Sequence, residues 1–134
     1  MIPRIIKNIE VIHGCEINVL NNGTLSLEEK YIDYLDYVRL VQAAKQYHVA
    51  LEVSNSSLVK KDKRLNCYEN YEKMLTLCQQ YKVPIIVSSD AHDPSWVGYF
   101  DLALDLLEKF HFDESLILNN DIDKLKQFIK KLAL

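Results

Sequence analysis

An aspartate and a histidine separated by one residue close an apolar run in Pro84-Ile85-Ile86-Val87-Ser88-Ser89-Asp90-Ala91-His92. A carboxylate oxygen and an imidazole nitrogen leaving one strand end together suit zinc, manganese or iron. Two other apolar segments end in groups able to converge on such a centre. Gly14-Cys15-Glu16-Ile17-Asn18 sets Glu16 and Asn18 on one side by the period of two of a strand. A carboxylate such as Glu16 can bridge two ions. Leu51-Glu52-Val53-Ser54-Asn55 carries Glu52, Ser54 and Asn55 near its tip. In α/β sheets, ligands gather outside the carboxyl ends of the strands.

Each of these residues also has a structural reading. Asp90-x-His92 followed by Asp93-Pro94 also reads as a turn with an N-cap, since Asp and Ser satisfy exposed helix amides. Glu16 alone reads as the partner of a lysine at a sheet edge. Ser54 to Ser57 cap the following segment rather than supply a nucleophile, because no His–Asp pair is placed to serve them. His13, His48 and His111 have no partners at ligand spacing, and His48 ends a helix, where an imidazolium suits the dipole. Lys60, Lys61, Lys63 and Arg64 read as a solvated loop, with a phosphate contact as the second reading. Cys15, Cys67 and Cys78 are odd in number and widely spaced, which fits neither a disulfide framework nor a Cys-x-x-Cys metal site. Cys78 lies on the apolar side of a helix and reads as a buried thiol.

The elements that must position these groups alternate between strand and helix. Ile9–Leu20 is apolar and ends in the turn signal Asn21-Asn22-Gly23. Leu25–Tyr37 has helical spacing, with Ser26 and Glu29 as a capping box. Arg39–His48 is a short helix, Val49–Val53 a strand, and Tyr71, Met74, Leu75, Cys78 and Tyr81 mark one face of a helix. Pro84–Val87 is a strand apolar on both faces, as in a parallel sheet covered by helices. Trp96–Phe110 places Val97, Phe100, Ala103, Leu104 and Leu107 on one stripe. Ser115–Leu118 is extended. A last helix, capped by Asn120 or Asp121, turns Ile122, Leu125, Phe128, Ile129 and Leu132 to the core and its lysines to water. The alternation argues for an α/β fold. It breaks once: Tyr37-Val38 opens like a strand, yet Arg39 resumes helix with no turn between.

With 134 residues, 49% apolar and 26% charged, the chain has the size and composition of one globular domain. A net charge of −3 gives no electrostatic reason for a nucleic acid or anionic membrane partner. No apolar run reaches the roughly 20 residues of a membrane span, and Met1-Ile2-Pro3-Arg4 lacks a secretory layout. The expectation is a soluble, reduced, cytoplasmic protein.

The segments GCEIN, ALEVSNSS, NCYENYEKMLTLCQQYKVPIIVSSDAH and WVGYFDLALDLLEKFHF, followed by ILN, resemble in order the PHP (polymerase and histidinol phosphatase) domain, nearest its YcdX-type phosphatases. The resemblance runs over nearly all of Val11–Leu132. It implies a distorted (βα)7 barrel with divalent ions, usually zinc, at the carboxyl ends of its strands, and hydrolysis of phosphoesters by metal-activated water. In that scheme Glu16 bridges two ions, while Asp90 and His92 ligate different ions.

Relative to that family, no His-x-His strand precedes Ile9. A block containing a Gly-x-His motif and a strand ending in His-Pro has no counterpart between Val38 and Arg39. The expected fold is thus a single partial PHP-like domain over 1–134, incomplete as a barrel. Two functions follow: a metal-dependent phosphoesterase acting on a phosphorylated small molecule, or an inactive remnant serving as a structural or partner-binding module. A second chain that completes the barrel is a further expectation.

Overall fold

The structure, a computed structural model, describes residues 5–6, 9–10, 36–60 and 66–132. The chain divides into two compact units, Met1–Leu35 and Asp36–Leu134. In the first, β1 (Ile5–Ile6) pairs antiparallel with β2 (Ile9–Glu10). Glu16, Asn18, His13 and Cys15 lie outside the described residues, as does the expected helix from Leu25 up to Leu35.

The second unit opens where the alternation breaks. Asp36 accepts from Val38 N at 2.9 Å and Arg39 N at 3.3 Å, and α1 (Tyr37–Gln46) runs on from it. Tyr37-Val38 is therefore the first helical turn rather than the start of a strand, because an aspartate cap supplies the acceptor that the first amides need.

β3 (Leu51–Ser54) passes directly into α2 (Asn55–Val59), and α3 (Cys67–Tyr81) carries the chain back to β4 (Ile85–Ser88). The two strands pair in parallel, Leu51 with Ile85 through to Ser54 with Ser88. A lone parallel bridge joins Ile85 to Ile117 on the other side of β4. β4 is thus central among the described residues, and each of its parallel neighbours is reached through a helix, as parallel pairing demands.

The α3 face forms as its spacing dictates: Met74, Leu75 and Cys78 are buried and Tyr71 and Tyr81 half-buried. They join Val41, Val53, Leu58, Val83, Ile85, Ala103 and Leu106 in one core. Burial of such a side chain contributes about 1.5–3 kcal/mol. Cys78 is fully enclosed, and its burial pushes the thiol up to about 12 from 9.0. Between those values an unfolded chain loses the proton that the folded chain keeps. Stability therefore falls as pH rises through that window, by at most about 1.4 kcal/mol per pH unit. Urea midpoints at about pH 8 and about pH 10.5 check this, with a shallower fall in Cys78→Ala.

The helix expected over Trp96–Phe110 is shorter. Asp93 opens a 3-10 turn, Pro94–Trp96, by accepting from Ser95 N and Oγ. Gly98 then takes a φ of +81°, a left-handed conformation incompatible with helix. α4 spans Asp101–Lys109, and its inward residues are Ala103, Leu106 and Leu107, while Val97 and Leu104 face solvent. Two 3-10 turns, Glu114–Leu116 and Leu118–Asn120, flank Ile117, so the expected extended segment shrinks to that one bridging residue. α5 (Ile122–Leu132) is capped by Asp121, which accepts from Asp123 N and Lys124 N. Leu125, Phe128 and Ile129 are half-buried there, and Ile122 is exposed rather than turned to the core. His48 is structural through a different contact from the one expected: its ring stacks on Phe128 at 4.2 Å between centroids, and Nε2 is buried without a partner among the described residues.

Three helices end in a left-handed residue that is not glycine: His48 after α1, Lys82 after α3 and His111 after α4. Each is followed by an amide reaching back across the last turn, Val49 N to Ala44 O, Val83 N to Cys78 O and Phe112 N to Leu107 O. A side chain in that conformation costs about 1–2 kcal/mol, part of which glycine recovers. His111 is exposed, so His111→Gly is expected to stabilise the fold by about 0.5–1 kcal/mol, read as a higher thermal midpoint.

Candidate functional site

The parallel register decides which groups share a side. Leu51, Val53, Ile85 and Val87 point one way; Glu52, Ser54, Ile86 and Ser88 point the other. Polar side chains on this second face pair diagonally across the strands. Ser88 Oγ donates to Glu52 Oε1, and Ser54 Oγ donates to Asp90 Oδ2 at 3.4 Å. Ser54 is itself held on three sides. Its N–H donates to the Tyr71 hydroxyl at 3.0 Å, its Oγ accepts from Ser57 N at 3.2 Å, and its backbone closes β3. The expected cap role of Ser54 is observed, and the same hydroxyl also orients Asp90. Burial raises the Tyr71 hydroxyl above its ordinary range, and the bond from Ser54 partly offsets this.

Asp90 has a φ of +47°. The other left-handed non-glycine residues among those described all flank helices, whereas Asp90 stands just past a strand end. The turn it makes brings its own carbonyl within 2.9 Å of His92 Nδ1. A carbonyl can only accept, so Nδ1 carries a proton, and in the neutral ring Nε2 keeps its lone pair. The His92 side chain is 73% exposed and that of Asp90 34%. One Asp90 oxygen takes the Ser54 hydroxyl; the other, Oδ1, lies 4.0 Å from His92 Nδ1.

These donors fit a divalent ion in kind. A ligating imidazole usually donates its other ring N–H to a carbonyl or carboxylate, the arrangement at His92, and a hydroxyl orients the carboxylate at Asp90. They do not complete a centre, since a zinc site has four ligands and no group of three His, Cys, Asp or Glu side chains forms among the described residues. Asp93, close by in sequence, is occupied with Ser95, whose hydroxyl and N–H hold its carboxyl below the ordinary range. The turn reading of Asp93-Pro94 therefore holds for Asp93.

Asn55, grouped with the site by sequence, belongs to the scaffold. It is 2% exposed, and its Oδ1 accepts from Ala103 N at 3.0 Å, capping α4 across 48 residues where Phe100 has no side-chain acceptor. Asn55→Ala leaves that buried amide unpaired and is expected to destabilise the fold by about 1–3 kcal/mol in urea unfolding. Two positions were not legible as site support. Tyr71 reads as core from its spacing, and its hydroxyl role depends on the approach of α3 to β3. Asn119 clamps β4: Val87 N donates to its Oδ1 at 3.0 Å, and its Nδ2 donates to Val87 O at 2.7 Å.

No protein-family profile matches the chain. Curated relatives named "probable phosphatase" do align with it. One from Clostridium botulinum is 26% identical over 97% of this chain and 72% of its own length. Another, from Caldicellulosiruptor saccharolyticus, is 25% identical over 97% and 73%. A third, from Thermoanaerobacter sp., is 25% identical over 98% and 72%. The first alignment runs over 177 residues against a chain of 134, so that relative carries residues with no counterpart here.

Proposed function

We propose that this chain is a phosphatase-type domain of the PHP class, built to hydrolyse phosphoesters of small molecules with a divalent metal. The observation that carries the reading is the strand-end relay Tyr71–Ser54–Asp90–His92, which leaves Nε2 of His92 and Oδ1 of Asp90 as outward donors. The names of the curated relatives support the same chemistry.

Asp90 and His92 would hold the ion; Glu16, the further ligand that the resemblance implies, lies outside the described residues. Zinc is the first choice for this donor pair, manganese or iron the next. Such an ion supplies an acidified water and charge stabilisation on the phosphoryl oxygens. The chain's own residues do the positioning: Tyr71 fixes Ser54, Ser54 orients the Asp90 carboxylate, and the Asp90 carbonyl fixes the His92 tautomer.

A second reading is favoured by the residues that the Clostridium botulinum relative carries without counterpart here. In it the chain is a catalytically inactive partial barrel, lacking the block between Val38 and Arg39, and acts as a structural or partner-binding module. A second chain supplying the absent ligands is the variant that would restore activity.

The test is metal analysis of the purified chain alongside hydrolysis of a generic phosphoester, with and without chelator. Stoichiometric metal and chelator-sensitive turnover support the phosphoesterase. Neither metal nor turnover, in the chain alone or with added zinc, manganese or iron, sinks it and leaves the module.

A further inference from the structure

The two 3-10 turns before α5, Glu114–Leu116 and Leu118–Asn120, gather their oxygens around one positive charge. Lys124, in the first turn of α5, sends its half-buried side chain back to them. Its Nζ donates to Ile117 O and Asn120 Oδ1, each at 2.9 Å, to Ser115 O at 3.4 Å and to Glu114 O at 3.5 Å. Three of these acceptors are backbone carbonyls and the fourth is an amide oxygen. None is a carboxylate, so this is not an ion pair.

The oxygens are held in place by bonds that do not involve the lysine. Asp113 caps the first turn through Ser115 N at 3.0 Å, and Ile117 N donates to Glu114 O at 3.1 Å. Asn120 Nδ2 donates to the same Glu114 carbonyl at 3.1 Å, which fixes the amide and aims its Oδ1 at the ammonium. Ile117 is anchored by its bridge to Ile85. The segment closed around Nζ is therefore the one that borders β4, since Asn119 within it clamps both backbone groups of Val87.

An ammonium has three protons, so four converging oxygens are one more than its hydrogen bonds can use. Such a set suits a spherical charge, whose hydration shell a ring of carbonyl oxygens replaces. Neutral oxygens without a carboxylate favour a single charge over a double one, because divalent sites draw on ligand charge. We infer that the oxygens of Glu114, Ser115, Ile117 and Asn120 form a monovalent-cation site, of the kind that takes potassium or ammonium, in which Lys124 is the resident cation. The tether gives the lysine a high effective concentration, so it keeps free ions out of the unaltered chain. Without that side chain the site passes to a free cation, which then holds Ile117 and Asn119 against β4 in its place.

The test compares the full chain with Lys124→Ala by urea unfolding in potassium, ammonium or tetramethylammonium chloride at one ionic strength, so that screening is equal. Tetramethylammonium carries the same charge but is too bulky for the site and has no proton to donate. In it, Lys124→Ala is expected to show a lower midpoint than the parent. Potassium or ammonium should restore most of that loss, because a ligand of the folded state alone stabilises it, while the parent midpoint should not distinguish the three salts. Hydrogen exchange at the Val87 amide should be about tenfold faster in Lys124→Ala and return toward the parent rate in potassium. A midpoint that Lys124→Ala leaves unmoved overturns the site, as does a loss that all three salts share equally. Should Lys124→Ala fail to fold in every salt, nitrogen-resolved NMR of the parent chain decides. Lys124 ammonium protons that exchange with water about tenfold more slowly than those of the exposed Lys126 and Lys130 uphold the site, and equal exchange removes it.

Discussion

Asp90→Ala and His92→Ala are each expected to lower phosphoester turnover at least about a hundredfold and to lower bound metal in parallel. Loss of a group that merely orients a ligand costs about 10–100-fold, and loss of a ligand should cost no less. The His92 ring is largely solvent-exposed and Asp90 partly so, so neither change opens a core cavity. The thermal midpoint of His92→Ala should stay close to that of the parent. Asp90→Ala sets alanine at a φ of +47° and removes the acceptor of the Ser54 hydroxyl, so it should lower the midpoint modestly. Asp90→Asn separates charge from shape. Its amide oxygen still accepts from Ser54 Oγ, so turnover as low as in the alanine variant assigns the loss to the missing charge. Ser54→Ala should show the intermediate loss of a positioning residue, with weaker metal retention. Unchanged turnover in both Asp90→Ala and His92→Ala would remove this pair from the mechanism.

Asn119→Ala is expected to destabilise the second unit by about 2–4 kcal/mol. The side chain occupies the place of a neighbouring strand, giving an acceptor to Val87 N and a donor to Val87 O. Alanine supplies neither, and an unsatisfied buried backbone group costs about 1–3 kcal/mol. Val87 lies on the same strand as Ser88 and three residues before Asp90, so the damage should reach the site as weaker metal binding at temperatures where the fold persists. Asn119→Asp tests the geometry more finely, since it keeps the acceptor but sets a carboxylate against the Val87 carbonyl. It should be at least as damaging at neutral pH. A urea midpoint unmoved in both variants would show that water replaces the amide without cost.

What the sequence revealed follows the range of the forces involved. The α3 face was legible because a helix packed on a core repeats its apolar residues with its own period, and Met74, Leu75 and Cys78 obey it. The aspartate and histidine were visible as a neighbouring pair because both follow directly on the end of one apolar strand. The boundary of α4 was misread because the stripe from Val97 to Leu107 continues through Gly98, whose φ of +81° ends any helix there. Register and distant contacts left no local mark. The diagonal pairs Ser88–Glu52 and Ser54–Asp90 exist only once β3 and β4 align, and Asn55 gives no sign that it caps a helix 48 residues later. The left-handed ends at His48, Lys82 and His111 were hidden because the residue that normally announces them, glycine, is absent from all three.

The central position of β4 also fixes an order of events during synthesis. β3 and α3 leave the ribosome before β4, so the first parallel pairing can close as soon as β4 appears. The other side of β4 must wait until α4, Ile117 and Asn119 have been translated. For that interval Val87 shows an open edge, the kind of surface on which nascent chains recruit one another. A chain released before Asn119 lacks that amide and keeps Val87 N–H and C=O open as a template for pairing with another chain.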